Sequence, residues 1–353
     1  MGYFRSTINA MMGYVPGEQP APGTRIIKLN TNENPYPPSS KVAEALQTID
    51  VNHLRRYPDP FANEFRQAVR DVFQVPTDWV IVGNGSDDIL NLLVRACAEG
   101  EERTVVYPTP TYVLYKTLSA MQPANVVEVP YPENFQLPLV DLTEARGAIT
   151  FIASPNSPSG HMVPLDDLRT LAKNTSGIVV IDEAYVDFAE YSALPLVQEF
   201  ENVIILRTLS KGYALAGLRL GFGIANPKLL AGLFKVKDSY NVDAISITLG
   251  AAAIRDQTYK NSRASQVKAS REKLTLDLQQ LGFSVFKSHG NFILATPAKH
   301  NAESLYLSLK DQGILVRYFK QTGLDNKLRI SVGTEEDNTI LIKTLFEILQ
   351  QDR

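Results

Sequence analysis

The sequence predicts an α/β protein in two parts, a large domain on a mostly parallel, doubly wound sheet and a smaller α+β domain behind it. Three observations carry this. Short apolar runs alternate with helical patterns through the middle of the chain, and several are continuously apolar, as strands covered on both faces would be. Beyond Asn226 the texture changes to successive helices and then short strands interleaved with helices. At 353 residues the chain is also too long for one small core.

Residues 1–38 are read as an N-terminal arm, because 13–38 are dense in Pro, Gly and Asn and should run extended. Its tyrosines, Tyr14 and Tyr36, argue for docking rather than a free tail. From Ser39 or Ser40, each a good N-cap, an amphipathic helix runs to Ile49, and a second spans 61–73. The turn Arg55-Arg56-Tyr57-Pro58-Asp59-Pro60 separates them. Strands follow at 79–82, 104–107, 125–129, 149–153, 178–182, 203–206 and 220–225, which places the large domain at 39–245. Helices at 227–240, 245–257 and 258–281 lead into strands at 283–286, 292–294, 314–317 and 328–332, with helices at 302–312 and 335–350. The small domain is thus expected at 246–353.

Lys and Arg, 35 in all, are scattered and slightly outnumbered by 38 Asp and Glu, so no nucleic-acid footprint is expected. The single cysteine, Cys97, lies in an apolar run and reads as a small buried hydrophobe in a reducing compartment. The four histidines, His53, His161, His289 and His300, show no metal-ligand spacing and read as surface or packing residues. No signal-peptide core or membrane-length apolar stretch is present, so a cytoplasmic location is expected.

The candidate chemistry lies at strand ends, where doubly wound sheets bind ligands. Thr208-Leu209-Ser210-Lys211-Gly212-Tyr213, followed by Gly217-Leu218-Arg219-Leu220-Gly221, sets a lysine amine near a hydroxyl and a guanidinium. Lysine forms Schiff bases, and Ser and Arg bind phosphate, so the segment suits a phosphorylated aldehyde; a solvated loop lysine is the plain alternative. Gly83-Asn84-Gly85-Ser86-Asp87-Asp88 joins a strand to a helix, where free N–H groups can hold a phosphate or simply make a turn. It lacks the third glycine of a dinucleotide fingerprint and the lysine of a P-loop. Asn156, in the turn after strand 149–153, can present an amide donor to a phenolate oxygen or stabilise the turn. Asp182 ends a very apolar strand, with Tyr185 three residues on; it suits a protonated pyridine nitrogen or a helix N-cap. Tyr112, just past a strand, can stack on a flat ring or pack in the core.

In order and separation, GSD, PTY, SPNSPSG, DEAY, SK and GLRLG resemble the fold type I pyridoxal phosphate-dependent aminotransferases over nearly the whole chain. Within that superfamily the chain is most similar to the histidinol-phosphate aminotransferase family, through YVPGE and NENPYPP in the arm, RRYPDP, GILVR and LRISVGT. The resemblance implies pyridoxal 5'-phosphate as cofactor, held as a Schiff base on Lys211. It pairs Asp182 with the pyridine nitrogen, makes Asn156 and Tyr185 donors to the ring oxygen, and stacks Tyr112 on the ring. The phosphate falls to the Ser86 and Asp87 amides, Ser210, Arg219 and, across a homodimer interface, Tyr57. Arg329 would take the substrate's anionic end, with Arg317, Tyr14 and Asn34 beside it. The implied reaction moves an amino group from glutamate to imidazole-acetol phosphate, giving histidinol phosphate and 2-oxoglutarate. Transamination of aromatic amino acids, threonine-phosphate decarboxylation and a cofactor-binding regulator are the alternatives on the same scaffold. Three departures stand out: Asp88 where Glu is frequent, Gly212-Tyr213 where Ala-Phe is common after the lysine, and Tyr318-Phe319 after Arg317.

Overall fold

Seven strands form the central sheet, in the spatial order Val80–Gly83, Gly221–Ala225, Val203–Thr208, Ile178–Asp182, Ile149–Ala153, Gly100–Thr109, Ala124–Pro130. The structure is a computed structural model and describes residues 3–11, 13, 17–18 and 26–351. Gly221–Ala225 runs antiparallel to both neighbours; every other adjacent pair is parallel. The continuous apolar runs follow from burial on both faces. Ile152, Ile181 and Ile205 enter one hydrophobic cluster, while their chain neighbours Phe151, Val180 and Ile204 enter the opposite one. That is the two-residue alternation of a pleated strand with core on each side. Cys97 is buried in the second cluster, as expected.

Helix starts are set locally. Ser39 Oγ accepts from Lys41 N (3.1 Å) before Ser40–Gln47, and Asn226 Oδ1 accepts from Lys228 N (2.9 Å) before Pro227–Val236. Asp243 likewise caps Ala244–Arg255 through Ser246 N at 2.8 Å. These side chains satisfy first-turn N–H groups that the helix itself leaves open.

Behind the large sheet, Phe283–Val285, Phe292–Pro297, Leu328–Ser331 and Arg317–Tyr318 make a four-stranded antiparallel sheet. Two expectations change here. The run 314–317 divides into two short strands: Arg317–Tyr318 joins this sheet, while Ile314–Leu315 pairs in parallel with Ile27–Lys28 of the arm. The small unit also does not begin at 246. Helix Ala244–Arg255 places Ile247, Leu249, Ala251 and Ile254 in the large-sheet core, whereas the small-sheet cluster starts at Leu274 and Leu278 of the long helix Gln257–Gln280. The join therefore lies within that helix. Sequence texture marks where helices begin, whereas core membership depends on which face each one buries.

Phe65, fully buried, packs edge-on against Phe222 at 5.7 Å and ties helix Asn63–Phe73 to the sheet. Phe65→Ala should cost about 3 to 5 kcal/mol through lost burial and a residual cavity, read from the urea midpoint.

Candidate active site

A cavity of about 870 Å³ opens where the carboxyl ends of the parallel strands face the small sheet and the arm. Ala153, Asp182 and Thr208, each the last residue of its strand, line it together with Lys211, Tyr185, Arg219, Arg317 and Arg329. The residues expected at strand ends are thus brought into one space.

Asp182 is almost wholly buried and hydrogen-bonded through both oxygens. Oδ1 accepts from Ala184 N (3.1 Å), capping the turn, and Oδ2 accepts from the Tyr115 hydroxyl (2.8 Å). Burial pushes its carboxyl up to about 6, and these two donors only partly offset the cost of removing the charge from water. Asp182 is thus a turn-stabilising acceptor through one oxygen and not a helix N-cap, since the short helix Val186–Phe188 begins at Tyr185 without a side-chain cap. Among the described residues no cationic side chain forms a salt bridge with Asp182, so a protonated ring nitrogen is a partner the position suits.

The Lys211 amine sits on the cavity wall and donates to Thr31 O (3.0 Å), 5.8 Å from the centre of the Tyr185 ring. Burial, with the positive charge of Arg329 adding, holds its pKa below the ordinary lysine value. Tyr185 OH accepts from Asn32 Nδ2 (3.0 Å), which leaves the phenol proton to give.

Opposite lies an anion cradle. Helix Ser86–Cys97 starts at Gly85, whose φ of +80° favours glycine and whose position offers no side-chain cap. Its first N–H groups and the positive end of its dipole therefore face the cavity beside Ser210 and Arg219. Arg219 donates to Ser210 Oγ (3.3 Å) and pairs with Asp87 Oδ2 (3.2 Å). The Tyr112 hydroxyl donates to Asp87 Oδ1 (3.2 Å), and its ring meets Tyr115 edge-on at 5.7 Å, flanking the cavity.

Two residues depart from expectation. Asn156 is fully buried beneath the wall and does not line the cavity. Its amide nitrogen donates to Ser159 Oγ (2.8 Å) and Pro110 O (3.1 Å), and its oxygen accepts from Thr111 Oγ1 (2.7 Å). Donation to a ring oxygen would require releasing one of these bonds. Asn34 also misses the cavity: its amide donates to Lys211 O (2.9 Å) and Gly212 O (3.4 Å), so it holds the lysine loop rather than a substrate.

At the far wall Arg317 and Arg329 are direct cross-strand partners. Like charges so placed repel. Arg329 donates to Ser157 Oγ (3.0 Å) and Asn30 O (2.8 Å), and both guanidiniums lie over the Phe319 ring, at 5.4 and 5.6 Å. No carboxylate pairs with Arg317 among the described residues, and the arrangement suits an anion arriving between the two. Tyr57 is 80% exposed, stacked on Tyr240 at 4.4 Å and away from this chain's cavity, whereas Tyr14 lies outside the described residues.

Sequence reasoning missed Tyr115, Thr31 and Asn32, whereas Phe319 stands out only as a departure beside Arg317. Tyr115 stands one helical step after Tyr112, a spacing that puts two phenols on one side of a helix start. The roles of Thr31 and Asn32 depend on where the arm crosses the lysine. His161, expected to be a packing residue, contacts Ser159 Oγ through Nδ1 (2.7 Å) within an aromatic pocket of Tyr131 and Phe135. Burial lowers its pKa to about 4, so it is neutral at pH 7. Among the described residues no cluster of His, Cys, Asp or Glu is arranged to hold a metal ion, and no helix is long and apolar enough to cross a membrane.

Residues 24–345 match the family model for aminotransferase class I and II. The chain belongs to that family. Its cofactor is pyridoxal phosphate. Histidinol-phosphate aminotransferase 1 of Trichormus variabilis is 64% identical over 348 residues, covering 99% of each chain, and its namesake in Nostoc sp. is 62% identical over 99% of this chain and 98% of its own. The histidinol-phosphate aminotransferase of Citrifermentans bemidjiense is 43% identical over 98% of both. Two solved structures share the fold. Histidinol-phosphate aminotransferase from Sinorhizobium meliloti, in complex with pyridoxal-5'-phosphate, has a TM-score of 0.90 at 24% identity, covering 100% of this chain and 99% of its own. Thermus thermophilus aspartate aminotransferase with maleate has a TM-score of 0.81 at 20% identity, covering 99% and 100%. This aminotransferase has the donor set its cofactor needs: a buried carboxylate lacking a cation, a desolvated amine and an open helix N-terminus beside a serine and an arginine.

Tyr115→Phe removes a donor to the Asp182 carboxylate, so its midpoint in the cofactor-free protein should rise above about 6, followed by carboxyl carbon NMR. Because the folded value already exceeds 3.8, the stability tied to this group falls as pH climbs from 3.8 through about 6, and the variant should extend that loss to higher pH.

Proposed function

We propose that this aminotransferase transfers the amino group of glutamate to imidazole-acetol phosphate, producing histidinol phosphate and 2-oxoglutarate in histidine biosynthesis. The observation that carries the reading is Arg317 and Arg329 facing each other across one strand pair on the wall of the Lys211 cavity, without a carboxylate on Arg317 among the described residues. A cationic pair there suits substrates with an anionic end, a carboxylate in the donor and a phosphate in the acceptor. The 64% identity to a full-length histidinol-phosphate aminotransferase supports the same substrates.

When bound, the cofactor supplies an electron sink for the carbanion left when a proton leaves the substrate carbon. Lys211, whose pKa burial lowers, would hold the cofactor through its amine. The same amine would hold and move the proton at the substrate carbon as base and then acid. Asp182 would hold the ring nitrogen, and a positive charge there would favour its carboxylate form. Tyr185 gives its phenol proton to the ring oxygen, with Asn156 contributing by exchanging its longer bond to Pro110 O at 3.1 Å. Tyr112 covers one ring face. The Ser86 and Asp87 amides, Ser210 and Arg219 hold the phosphate.

The active unit is a homodimer in which Tyr57 reaches the cofactor phosphate of a second copy. The exposed apolar side chains Val51, Leu54 and Phe61 around Tyr57 and Tyr240 support such a contact. A cytoplasmic location is supported by the lone buried thiol, which suits a reducing compartment.

Purified protein should be yellow, and glutamate should bleach the band. Imidazole-acetol phosphate should then restore it much faster than aromatic keto acids do; equal rates would favour an aromatic aminotransferase, and carbon dioxide release from threonine phosphate a decarboxylase. Lys211→Ala should fold, lose borohydride trapping of the cofactor and drop turnover by roughly 10³-fold. Arg317→Leu should raise KM for the phosphorylated acceptor by roughly 10- to 100-fold, as loss of charged hydrogen bonds implies, with a smaller effect on glutamate.

A further inference from the structure

Gly212, directly after the reactive lysine, is one of the positions at which this chain departs from the common family pattern. Its φ is not in the left-handed range, so conformational freedom does not explain it. Space does. A Cβ at 212 would run into the Asp187 side chain, lying 2.5 Å from both Cγ and Cβ, and because Cβ is fixed by the backbone no rotamer of Asp187 clears the clash. Asp187 in turn pairs with Lys260 Nζ at 3.1 Å, and both side chains are almost wholly removed from solvent, 6% and 11% exposed. The second departure points to the same helix. Tyr213 OH accepts from Gln257 Nε2 (2.9 Å), and Lys260 Nζ lies 5.7 Å from the centre of its ring.

Gln257 and Lys260 stand on the first turns of the long helix Gln257–Gln280. The turn Val186–Phe188 that carries Asp187 is bound to this helix further along as well. Phe188 packs with Ala264 and Val267, and Arg271 Nη1 donates to Phe188 O (3.4 Å) and Gly290 O (2.9 Å). The helix continues through Leu274 and Leu278 into the core of the small sheet.

We propose that Asp187 and Lys260 are positioning residues for Lys211: a buried ion pair seated against the bare backbone of Gly212, latching the lysine loop to the helix that bears the small sheet. The assignment rests on Lys211 as the cofactor-bearing lysine. Buried ion pairs add little net stability compared with apolar packing, and fixing one arrangement among several is a better-attested use. Here the arrangement fixed is the loop carrying the amine, whose displacement toward water would return its pKa toward the ordinary lysine value.

The test compares Gly212→Ala, Asp187→Gly and the double variant. It measures the rate at which cofactor-free protein captures pyridoxal phosphate, as a function of pH by visible absorbance, alongside kcat and KM. Gly212→Ala should slow capture at least tenfold, move its pH midpoint up by half a unit or more, and lower kcat with little change in KM. Adding Asp187→Gly removes the Cβ as well as the carboxylate, makes room for the methyl group and should restore capture to within threefold of Asp187→Gly alone, a coupling expected only of groups in contact. Wild-type behaviour of Gly212→Ala, or a double variant no better than Gly212→Ala, overturns the proposal. Should Gly212→Ala fail to fold, the uncharged near-isosteric pair Asp187→Asn with Lys260→Met decides: an upward midpoint shift supports the latch, an unchanged midpoint overturns it. Borohydride trapping on the wild-type protein separates the two layers. A label at any residue but Lys211 refutes the underlying reading, whereas a label at Lys211 with an unaffected Gly212→Ala refutes the latch alone.

Discussion

The site depends on a sheet so thoroughly covered that it can offer polarity only at its edge. Ile149–Ala153 is buried along its whole length and apolar but for Thr150, and Ile178–Asp182 is apolar until its last residue. The parallel register delivers Ala153 beside Asp182, and Asp182 beside Leu206 two residues before Thr208, so the turns leaving these strands all emerge on one side. The helices on both faces exclude water from the base of that edge. A carboxylate held there is costly unless its oxygens are occupied, and Tyr115 and the Ala184 amide occupy them.

The same desolvation acts in opposite senses on the two groups that matter most. It lifts the Asp182 carboxyl to about 6 and depresses the Lys211 amine, bringing both toward neutrality in the absence of a partner. A ligand with a basic ring nitrogen at one end and an electrophilic carbon near the other relieves both. Arg317 adds a third cost, since no carboxylate pairs with it among the described residues and Arg329 stands directly across the strand pair. Three separate electrostatic costs thus share one kind of remedy, and this is why the cavity suits a zwitterionic cofactor together with an anionic substrate.

Much of this was legible in the chain. Strands 149–153 and 178–182 stand where continuous Ile, Val and Phe placed them, and the strand-end positions of Asp182, Lys211 and Ser86 follow from turn chemistry. Less legible were features created by distant approach. Asn34 lies in a motif that suggested substrate contact, yet its amide is spent on the carbonyls of Lys211 and Gly212, 177 and 178 residues away. The strand Ile27–Lys28 is two residues long in a Pro- and Gly-rich stretch, with no periodicity to reveal it; only its partner Ile314–Leu315 makes it a strand. Helix Ala244–Arg255 is small and apolar on most sides, so its sequence did not say which core it joins.

The path of the arm has a mechanical meaning. Leu29 is rooted in the small-sheet core; Thr31 accepts the Lys211 amine proton; Asn32 binds Tyr185 through its side chain and Ser331 through its main chain; Asn34 grips the lysine loop. Six consecutive residues therefore stitch together two bodies with separate cores, and the stitches pass through the atoms that do the chemistry. Rotation of the small sheet against the large one would pull first on the carbonyl of Thr31 and thus on the basicity of the lysine. The acceptor of the lysine amine and an anchor of the small-sheet core are thus carried by one short strip of chain.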